Sequence, residues 1–172
     1  DLSTDGCFTL GAAVGAVVAL AGHPFLSIPA AMLAGVISGF VTAFLQTRMG
    51  VNSLLAGIVV NTALYSINIA VMGNTSLLNM NKTEAVSLIA VALVIVFLSL
   101  FLRTKLGLAI RATGNNPDMV KSSSIDPVFT TTVGLCVANA FTALSGCLLA
   151  QAQKSVNIDI GSGMVTIALA SL

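Results

Sequence analysis

Long apolar stretches constrain this chain more than any other feature of its sequence. The purest of them, Ala85–Leu102, is 18 residues long, and Ser87 and Ser99 are its only polar residues. As an α-helix it would extend about 27 Å, close to the hydrocarbon thickness of a bilayer. Only 8% of the 172 residues are charged, whereas a soluble domain carries about a quarter. Because a soluble protein of this size needs a water-facing surface, the surface of this chain must face the lipid bilayer.

Other apolar stretches also have the length of membrane spans. They are Cys7–Ala21, Phe25–Leu45, Val51–Met72 and Pro127–Ala152, and a further one begins near Gly163. The predicted fold class is all-α: a polytopic transmembrane helix bundle of about five complete spans and a truncated sixth, in a single domain over residues 1–172. Because the chain begins at Asp1 rather than at Met and ends inside an apolar stretch, we expect a fragment of a longer protein.

Basic residues predict the orientation of the bundle. Four of the seven lie in the connection 103–126, namely Arg103, Lys105, Arg111 and Lys121. The positive-inside rule places this connection in the cytoplasm. Arg48 then also lies inside, in agreement with the rule, whereas Lys82 lies outside beside Glu84 and is weak contrary evidence. The N-terminus is expected inside, or partway into the membrane if Asp1–Gly6 is re-entrant.

The same connection carries helix-start signals. Asn116-Pro117-Asp118 combines an N-cap residue, a proline at the first helical position and an acid in the first turn. A short helix over about Pro117–Ser123 is predicted, and Asp126-Pro127 repeats the signal at the start of the next span. On local chemistry alone, an ordinary polar loop without a partner remains the alternative.

Small and polar residues recur at helical spacing within the spans. Three stripes of small residues are Gly11, Gly15 and Ala19; Gly35 and Gly39; and Ala138, Thr142, Gly146 and Ala150. Such stripes let helix backbones approach closely in lipid. Two faces carry polar residues: Asn61, Tyr65, Asn68 and Met72 on one helix, and Asn139, Ala143, Cys147 and Gln151 on another. Because polar groups in hydrocarbon need partners or water, these faces either make interhelical hydrogen bonds or line a solute path, and the two roles are compatible.

Several function classes are not indicated. A net charge of +1 gives no basic footprint for nucleic acid. The three cysteines, Cys7, Cys136 and Cys147, lack metal-ligand spacing and fit apolar packing. No acid, Lys or Arg lies in the middle of a complete predicted span, so neither a proton relay nor a hydrolytic site is expected. We predict no catalytic residue, metal or cofactor; a sodium-coupled carrier using amides and carbonyls remains a rival.

Four segments resemble one family of membrane proteins. GLAIRATGNNPDMVKSSSID resembles the cytoplasmic loop of ABC-importer permeases of the branched-chain amino acid and ribose type, which typically runs G…IRA.G.N…A…GI. DLSTDGCFTLGAAVGA is similar to the segment with which such permeases enter a glycine-rich helix. NSLLAGIVVNTALYSINIAVMG and ANAFTALSGCLLAQAQKSVNIDIGSGMVTIALASL look like a subgroup often paired with binding proteins for aromatic amino acids such as tryptophan or tyrosine.

The chain departs from the family pattern at two positions. Ser124 stands where members usually have Gly, and Lys154 where many have Gly or another small residue. The resemblance also implies one span before Asp1 and at least one after Leu172, in agreement with a fragment.

The resemblance implies a permease subunit of the bacterial inner membrane and not an enzyme. Two permease subunits, expected to be identical, would form the path, cytoplasmic ABC ATPases would drive it by alternating access, and an extracytoplasmic binding protein would deliver the solute.

By position, the residues of the short coupling helix that docks on the ATPase would be Arg111, Asn115, Asn116, Asp118 and Met119. Thr4, Asp5, Gly6 and Thr9 would lie near a broken helix. The residues of the translocation path would be Asp5, Gly6, Thr9, Asn61, Tyr65, Asn68, Asn139 and Gln151, with Asp159 and Gly161 marking the external connection. The alternatives are a secondary carrier or channel that needs no ATPase, and a structural subunit without a solute path.

Overall fold

The chain folds into a bundle of α-helices with one small antiparallel β-ribbon. This computed structural model describes residues 2–80 and 86–171, so Asp1, the predicted external pair Lys82 and Glu84, and the predicted span start at Ala85 lie outside the described residues. In chain order the elements are α1 Thr4–Leu20, α2 Pro24–Thr47, α3 Ser53–Val71, β1 Leu77–Asn79, α4 Val86–Leu102, α5 Lys105–Asn115, α6 Pro117–Ser122, α7 Pro127–Gln153, β2 Ser155–Asn157 and α8 Met164–Ala170. The predicted all-α membrane bundle is confirmed.

The described helices support fewer membrane spans than the sequence predicted. Among the described helices, α2, α3 and α7 are long and apolar enough to cross a membrane. Helices α4 and α5 are bent by 72° at a short break and count as a fourth span only if taken together, and α1 is apolar but only 17 residues long. Length therefore supports three or four crossings, and the expected count of about five complete spans is not confirmed.

Helices α1, α2 and α7 form the centre of the bundle through two of the predicted small-residue stripes. Gly11 of α1 packs directly on the backbone of Ala143 in α7. Gly35 of α2 lies so close to α7 that an added Cβ would be 2.8 Å from the Cα of Ala140. Because any side chain at these glycines would push the helices apart, the stripes are confirmed as packing surfaces.

Only part of the third stripe, on α7, packs against another helix. Gly146 packs on the backbone of Phe8, and Ala150 is fully buried, whereas Ala138 is exposed. The C-terminal half of α7 therefore contacts α1 closely, and the N-terminal part of this stripe does not.

Helix α1 begins earlier than the hydropathy pattern suggested. The predicted start was Cys7, but the helix begins at Thr4 and continues unbroken to Leu20, so Asp5 and Gly6 lie in its first turn. The broken helix expected near them stays a prediction. The Cys7 thiol donates to the carbonyl of Asn139 at 3.3 Å, about 18 Å along α7 from its start. Helix α1 therefore starts partway along the bundle and not at its end.

The connection after β2 turns back into the bundle. Residues 158–163 form turns, and Gly161 packs against the carbonyl of Asp5 and the hydroxyl of Thr9. Helix α8 begins immediately afterwards, at Met164. The N-terminal ends of α1 and α8 consequently meet at the same level inside the bundle.

The connection 103–126 contains two helices rather than one. The predicted short helix is present as α6, with the Asn116 side chain accepting from the backbone N–H groups of Asp118 and Met119 at 3.1 and 3.2 Å. Residues Lys105–Asn115 were expected to be loop but form α5, whose N-cap Thr104 accepts from the Gly107 N–H. Arg111 and Asn115 therefore lie in α5 and not in the predicted short helix, α6.

The β-ribbon was not predicted. Strands β1 and β2 pair antiparallel, with Leu78 opposite Val156. Val156 is fully buried in a cluster with Ala12 and Ala16 of α1, Met72 after α3 and Ala150 of α7. The ribbon joins the connections that follow α3 and α7, so it marks the end of the bundle opposite to α6.

Candidate solute cavity and exposed helix

A polar cavity of about 270 Å³ opens between α1, α3 and the turn 158–163. Six of the eight predicted path residues lie around it, although they come from distant parts of the chain. The cavity is lined by Asp5, Gly6, Thr9, Asn61, Thr62, Tyr65, Asn68, Ile158, Asp159 and Ser162. The structure thus brings most of the predicted set to one place, and their role in translocation stays a prediction.

Close contact between α1 and α3 creates one wall of this cavity. A Cβ on Gly6 would lie 2.6 Å from the Asn61 side-chain oxygen and 3.0 Å from the Cβ of Leu64. The Asn68 side-chain amide donates to the carbonyl of Gly6 at 3.2 Å. Asn68 is only 1% exposed, and its Oδ1 has no hydrogen-bond partner among the described residues. The polar face predicted for α3 therefore points toward the start of α1.

Asp5 and Thr9 fix the opposite wall. The two carboxylate oxygens of Asp5 accept from the backbone N–H groups of Val165 and Gly163 at 2.9 and 3.3 Å. Thr9 Oγ1 donates to the Asp5 carbonyl at 3.0 Å and accepts from the Gly161 N–H at 3.2 Å. Because these bonds satisfy backbone donors at the start of α8, the first turns of α1 hold α8 in place.

The charges around the cavity are of one sign. Asp5 and Asp159 both line it, and no Lys, Arg or His does so among the described residues. The described residues contain no cluster of three His, Cys, Asp or Glu side chains that could hold a metal ion. Asp5, which was predicted for the path, thus shares the cavity with a second carboxylate, that of Asp159.

Asn139 and Gln151 lie outside this cavity. Both are almost fully buried where α7 meets α1 and α2. The Gln151 side-chain amide donates to the Ser27 hydroxyl at 2.8 Å, whereas the backbone carbonyl of Asn139 accepts from the Cys7 thiol. Interhelical hydrogen bonding, the alternative role considered for polar residues in the spans, describes the Gln151 side chain.

Sequence reasoning left Thr62, Ile158 and Ser162 out of the path and placed Asp159 only in the external connection. Thr62 adjoins Asn61 and could have been included from its position on the same helix. The other three enter the cavity because residues 158–163 turn back onto α1, a contact that no local pattern reveals.

Helix α6 presents a surface at the other end of α7. All five predicted docking residues are exposed, and Met119 exposes 62% of its surface. Val120 is buried and anchors the helix, and α5 is attached to α7 by a 2.8 Å hydrogen bond between the hydroxyls of Thr113 and Thr130. The exposed helix thus lies directly before the first turn of α7, to which α5 is hydrogen-bonded.

Ser124 explains how α6 ends. Its φ is +58°, and the chain closes with hydrogen bonds from Ile125 N–H to Val120 O and from Ser124 N–H to Lys121 O. This is the Schellman pattern, whose left-handed residue is usually Gly. Lys154, the other departure from the family pattern, caps α7 with φ +57°. Both departures therefore retain the backbone that a glycine would favour.

Comparison with known proteins gives a consistent result. Residues 1–172 match the family described as "Branched-chain amino acid transport system / permease component". A tyrosine transport system permease protein of Clostridioides difficile is 34% identical over 182 residues, covering 100% of this chain and 62% of that protein. An uncharacterized protein of Rickettsia prowazekii is 33% identical over 183 residues, covering 100% of this chain and 65% of that protein. No solved structure matches the chain at a significant level.

The chain thus spans about two thirds of the length of these two relatives. Its helical architecture, with at least three helices able to cross a bilayer, agrees with the family match along every residue. This multi-pass membrane protein belongs to the family of permease components of branched-chain amino acid transport systems.

Proposed function

We propose that this chain is the permease subunit of an ATP-binding cassette importer and forms the translocation path for a small solute, an amino acid or a related compound. Family membership supports the transport role, and the relative named for tyrosine transport supports the solute class. Its partners are cytoplasmic ATPase subunits, which carry out ATP hydrolysis, an extracytoplasmic solute-binding protein and a second copy of the permease. The chain acts as one permease domain with residues 103–126 as its coupling connection.

The observation that carries this proposal is the exposed, capped helix α6 joined to α7. Asp118 and Met119 lie on its surface, and Asp126 caps the start of α7 by accepting from the Val128 N–H at 2.9 Å. Helix α7 then runs past α1, whose first turns line the cavity. A displacement of α6 by an ATPase would therefore reach the cavity through two closely packed helices, as rigid-body gating requires.

The test measures solute uptake and ATP hydrolysis together, using the full-length permease with its ATPase and binding protein in proteoliposomes. In a double variant, Asp118→Ala with Met119→Ala, helix propensity is retained while the docking surface is removed. We expect uptake per ATP hydrolysed to fall about tenfold or more, within the usual range of coupling between sites. Leu93→Ala on α4, where the side chain is similarly exposed at 65%, should leave this ratio unchanged.

Two results would contradict the proposal. One is an unchanged uptake-to-hydrolysis ratio in the double variant. The other is solute uptake by the full-length permease alone, without ATP, which would indicate the secondary carrier or channel instead.

A further inference from the structure

A groove lies between α2 and α7 on the apolar outer surface of the bundle. Its floor is the close contact at Gly39, where an added Cβ would be 2.8 Å from the Cα of Cys136. Two adjoining cavities of about 590 and 460 Å³ follow this contact, and Phe40 and Thr132 line both of them. Together they form one continuous α2–α7 groove. It begins where α2 ends and α7 begins, at the end of the bundle that carries α6.

The mouth of the α2–α7 groove carries one charge of each sign. Arg48, which follows α2, and Asp126, the N-cap of α7, both line it and both are exposed. No ion pair joins the Arg48 guanidinium to Asp126 or to another carboxylate of the described residues. Asp126 Oδ1 accepts from the Val128 N–H at 2.9 Å, whereas Oδ2 accepts no hydrogen bond from the same part of the chain. Both charges are therefore available to a ligand that carries a phosphate and an ammonium group.

Beyond this mouth the groove is apolar. Phe40 and Phe129 stand at its entrance with about half of their surfaces exposed, and Phe97 of α4 lines its inner part. Along α2 the lining extends from Arg48 to Met32, about 24 Å of helix. Because the hydrocarbon of one leaflet is about 15 Å thick, an acyl chain with its headgroup at the mouth would lie in the groove along its whole length.

Phosphoethanolamine is the lipid headgroup that fits this mouth best. A guanidinium binds phosphate oxygens through two parallel hydrogen bonds, and a carboxylate accepts the N–H groups of a primary ammonium. A choline headgroup has no N–H to donate. A glycerol headgroup would leave the Asp126 carboxylate near a phosphate without a compensating cation. Basic pockets between membrane helices on the cytoplasmic side are known places for lipid headgroups, and the positive-inside rule predicts that this end is cytoplasmic.

We propose that the α2–α7 groove binds one phosphatidylethanolamine molecule of the cytoplasmic leaflet. Arg48 contacts its phosphate, Asp126 accepts from its ammonium group, and one acyl chain lies along α2 and α7. Since Asp126 is also the residue that caps α7 after α6, the lipid is held where the exposed connection enters the membrane. The inference goes beyond the proposed transport function and depends neither on the solute nor on the ATPase.

The first experiment compares headgroups on the full-length permease purified in detergent. Phosphatidylethanolamine, phosphatidylcholine and phosphatidylglycerol with identical acyl chains are titrated separately, and bound lipid is counted by native mass spectrometry. We expect the first molecule of phosphatidylethanolamine to bind about tenfold more tightly than the first molecule of either other lipid, the scale of one charge-assisted hydrogen bond. Equal affinities for the three lipids would contradict the proposal.

Two variants test the assigned residues. Arg48→Gln should weaken binding of all three lipids about tenfold, because each has a phosphate. Its matched control is Arg103→Gln, exposed at the same end but outside the lining of the groove, which should bind like the unaltered protein. Asp126→Asn retains a helix cap but removes the charge. The preference for phosphatidylethanolamine over phosphatidylcholine should then fall to about twofold, and phosphatidylglycerol should bind more tightly. Equal binding by Arg48→Gln and Arg103→Gln would refute the role of Arg48.

The second experiment locates the lipid on the full-length permease in nanodiscs. A phosphatidylethanolamine with a photoreactive diazirine midway along one acyl chain should label α7 between Thr132 and Phe141, less in Arg48→Gln than in Arg103→Gln. Labelling spread evenly over the outer faces of α2, α3 and α4 would show ordinary lipid contact and overturn the site. So would the absence of label from the groove together with cross-linking of Phe129→Cys to a second copy or to another segment of the full-length chain, since protein would then fill it.

Discussion

Ser124 and Lys154 occupy backbone conformations that favour glycine. Their φ angles are +58° and +57°, and a side chain in this region is less favourable than glycine by about 1 kcal/mol. The resemblance to the family implies glycine at the first position and glycine or another small residue at the second. The conformation is therefore required by the way α6 and α7 end, and these two residues adopt it despite their Cβ atoms.

Replacing Ser124 with Gly should stabilise the protein. Relief of the left-handed strain exceeds the entropy that glycine adds to the unfolded chain, so we expect a gain of about 0.5–1 kcal/mol. The measurement is the apparent Tm of the purified permease in detergent. The control is Ser123→Gly, at a position with φ of −89°, where glycine should be neutral or destabilising. A lower apparent Tm for Ser124→Gly than for Ser123→Gly would contradict this explanation.

The Asn116 cap should determine how well α6 is formed. Its side chain accepts from the N–H groups of Asp118 and Met119, and loss of such a cap destabilises a helix by about 1 kcal/mol. In Asn116→Ala, hydrogen exchange at these two amides should become about fivefold faster, whereas Asn116→Asp should retain protection. Unchanged exchange in the alanine variant would show that contacts other than the cap hold α6.

At the scale of elements, glycines decide which helices touch. Gly11 and Gly35 allow α7 to contact both α1 and α2 at backbone distance. Helix α5 was not predicted, because the polar and charged composition of residues 103–126 favours a loop. A connection of that length without secondary structure is uncommon in a folded domain, and the segment from Lys105 to Asn115 is helical.

A pair of Gly→Ala variants separates packing from helix propensity. In Gly11→Ala the new Cβ would overlap the Ala143 backbone, and we expect a loss of about 1–3 kcal/mol through overpacking. Gly114 is also helical, but apart from its chain neighbours and its own helix backbone no atom of the described residues lies within 4 Å of an added Cβ. Gly114→Ala should therefore be neutral or stabilising by up to about 1 kcal/mol. Thermal denaturation of both variants checks this, and equal apparent Tm values would refute the packing role of Gly11.

At the scale of the whole molecule, the bundle has two distinct ends. The β-ribbon lies where α3 and α7 finish, and α5 and α6 lie where α7 begins. By the positive-inside rule, the basic residues of 103–126 predict that the second end lies in the cytoplasm. The cavity lies between the two ends, beside the start of α1.

Cysteine labelling tests this orientation. In a background with Cys7, Cys136 and Cys147 replaced by Ala, single cysteines are introduced as Ser122→Cys on α6 and Asn157→Cys on the ribbon, both at exposed positions. A membrane-impermeant maleimide should label Ser122→Cys only in inside-out vesicles and Asn157→Cys only in right-side-out vesicles. Labelling of both from one side would contradict the arrangement, and the reverse pattern would invert the orientation.

Local sequence was sufficient for much of this protein. The apolar stretches, the Asn116 and Asp126 caps, the glycine stripes and the polar face of α3 depend on residues within a few helical turns, where hydrophobic transfer and backbone hydrogen bonding act independently of the remaining chain. For the same reason the sequence predicted Asn61, Tyr65 and Asn68 together on one face.

Only the tertiary structure decided what that face meets. Asp5 contacts Val165, 160 positions away, and Asp159 reaches the cavity because the turn after β2 folds back onto α1. The same packing removes Gln151 from the cavity by supplying Ser27 as its partner. Such contacts depend on how whole helices fit together, so the residues that share the cavity, and its negative charge, follow from packing and not from any local pattern.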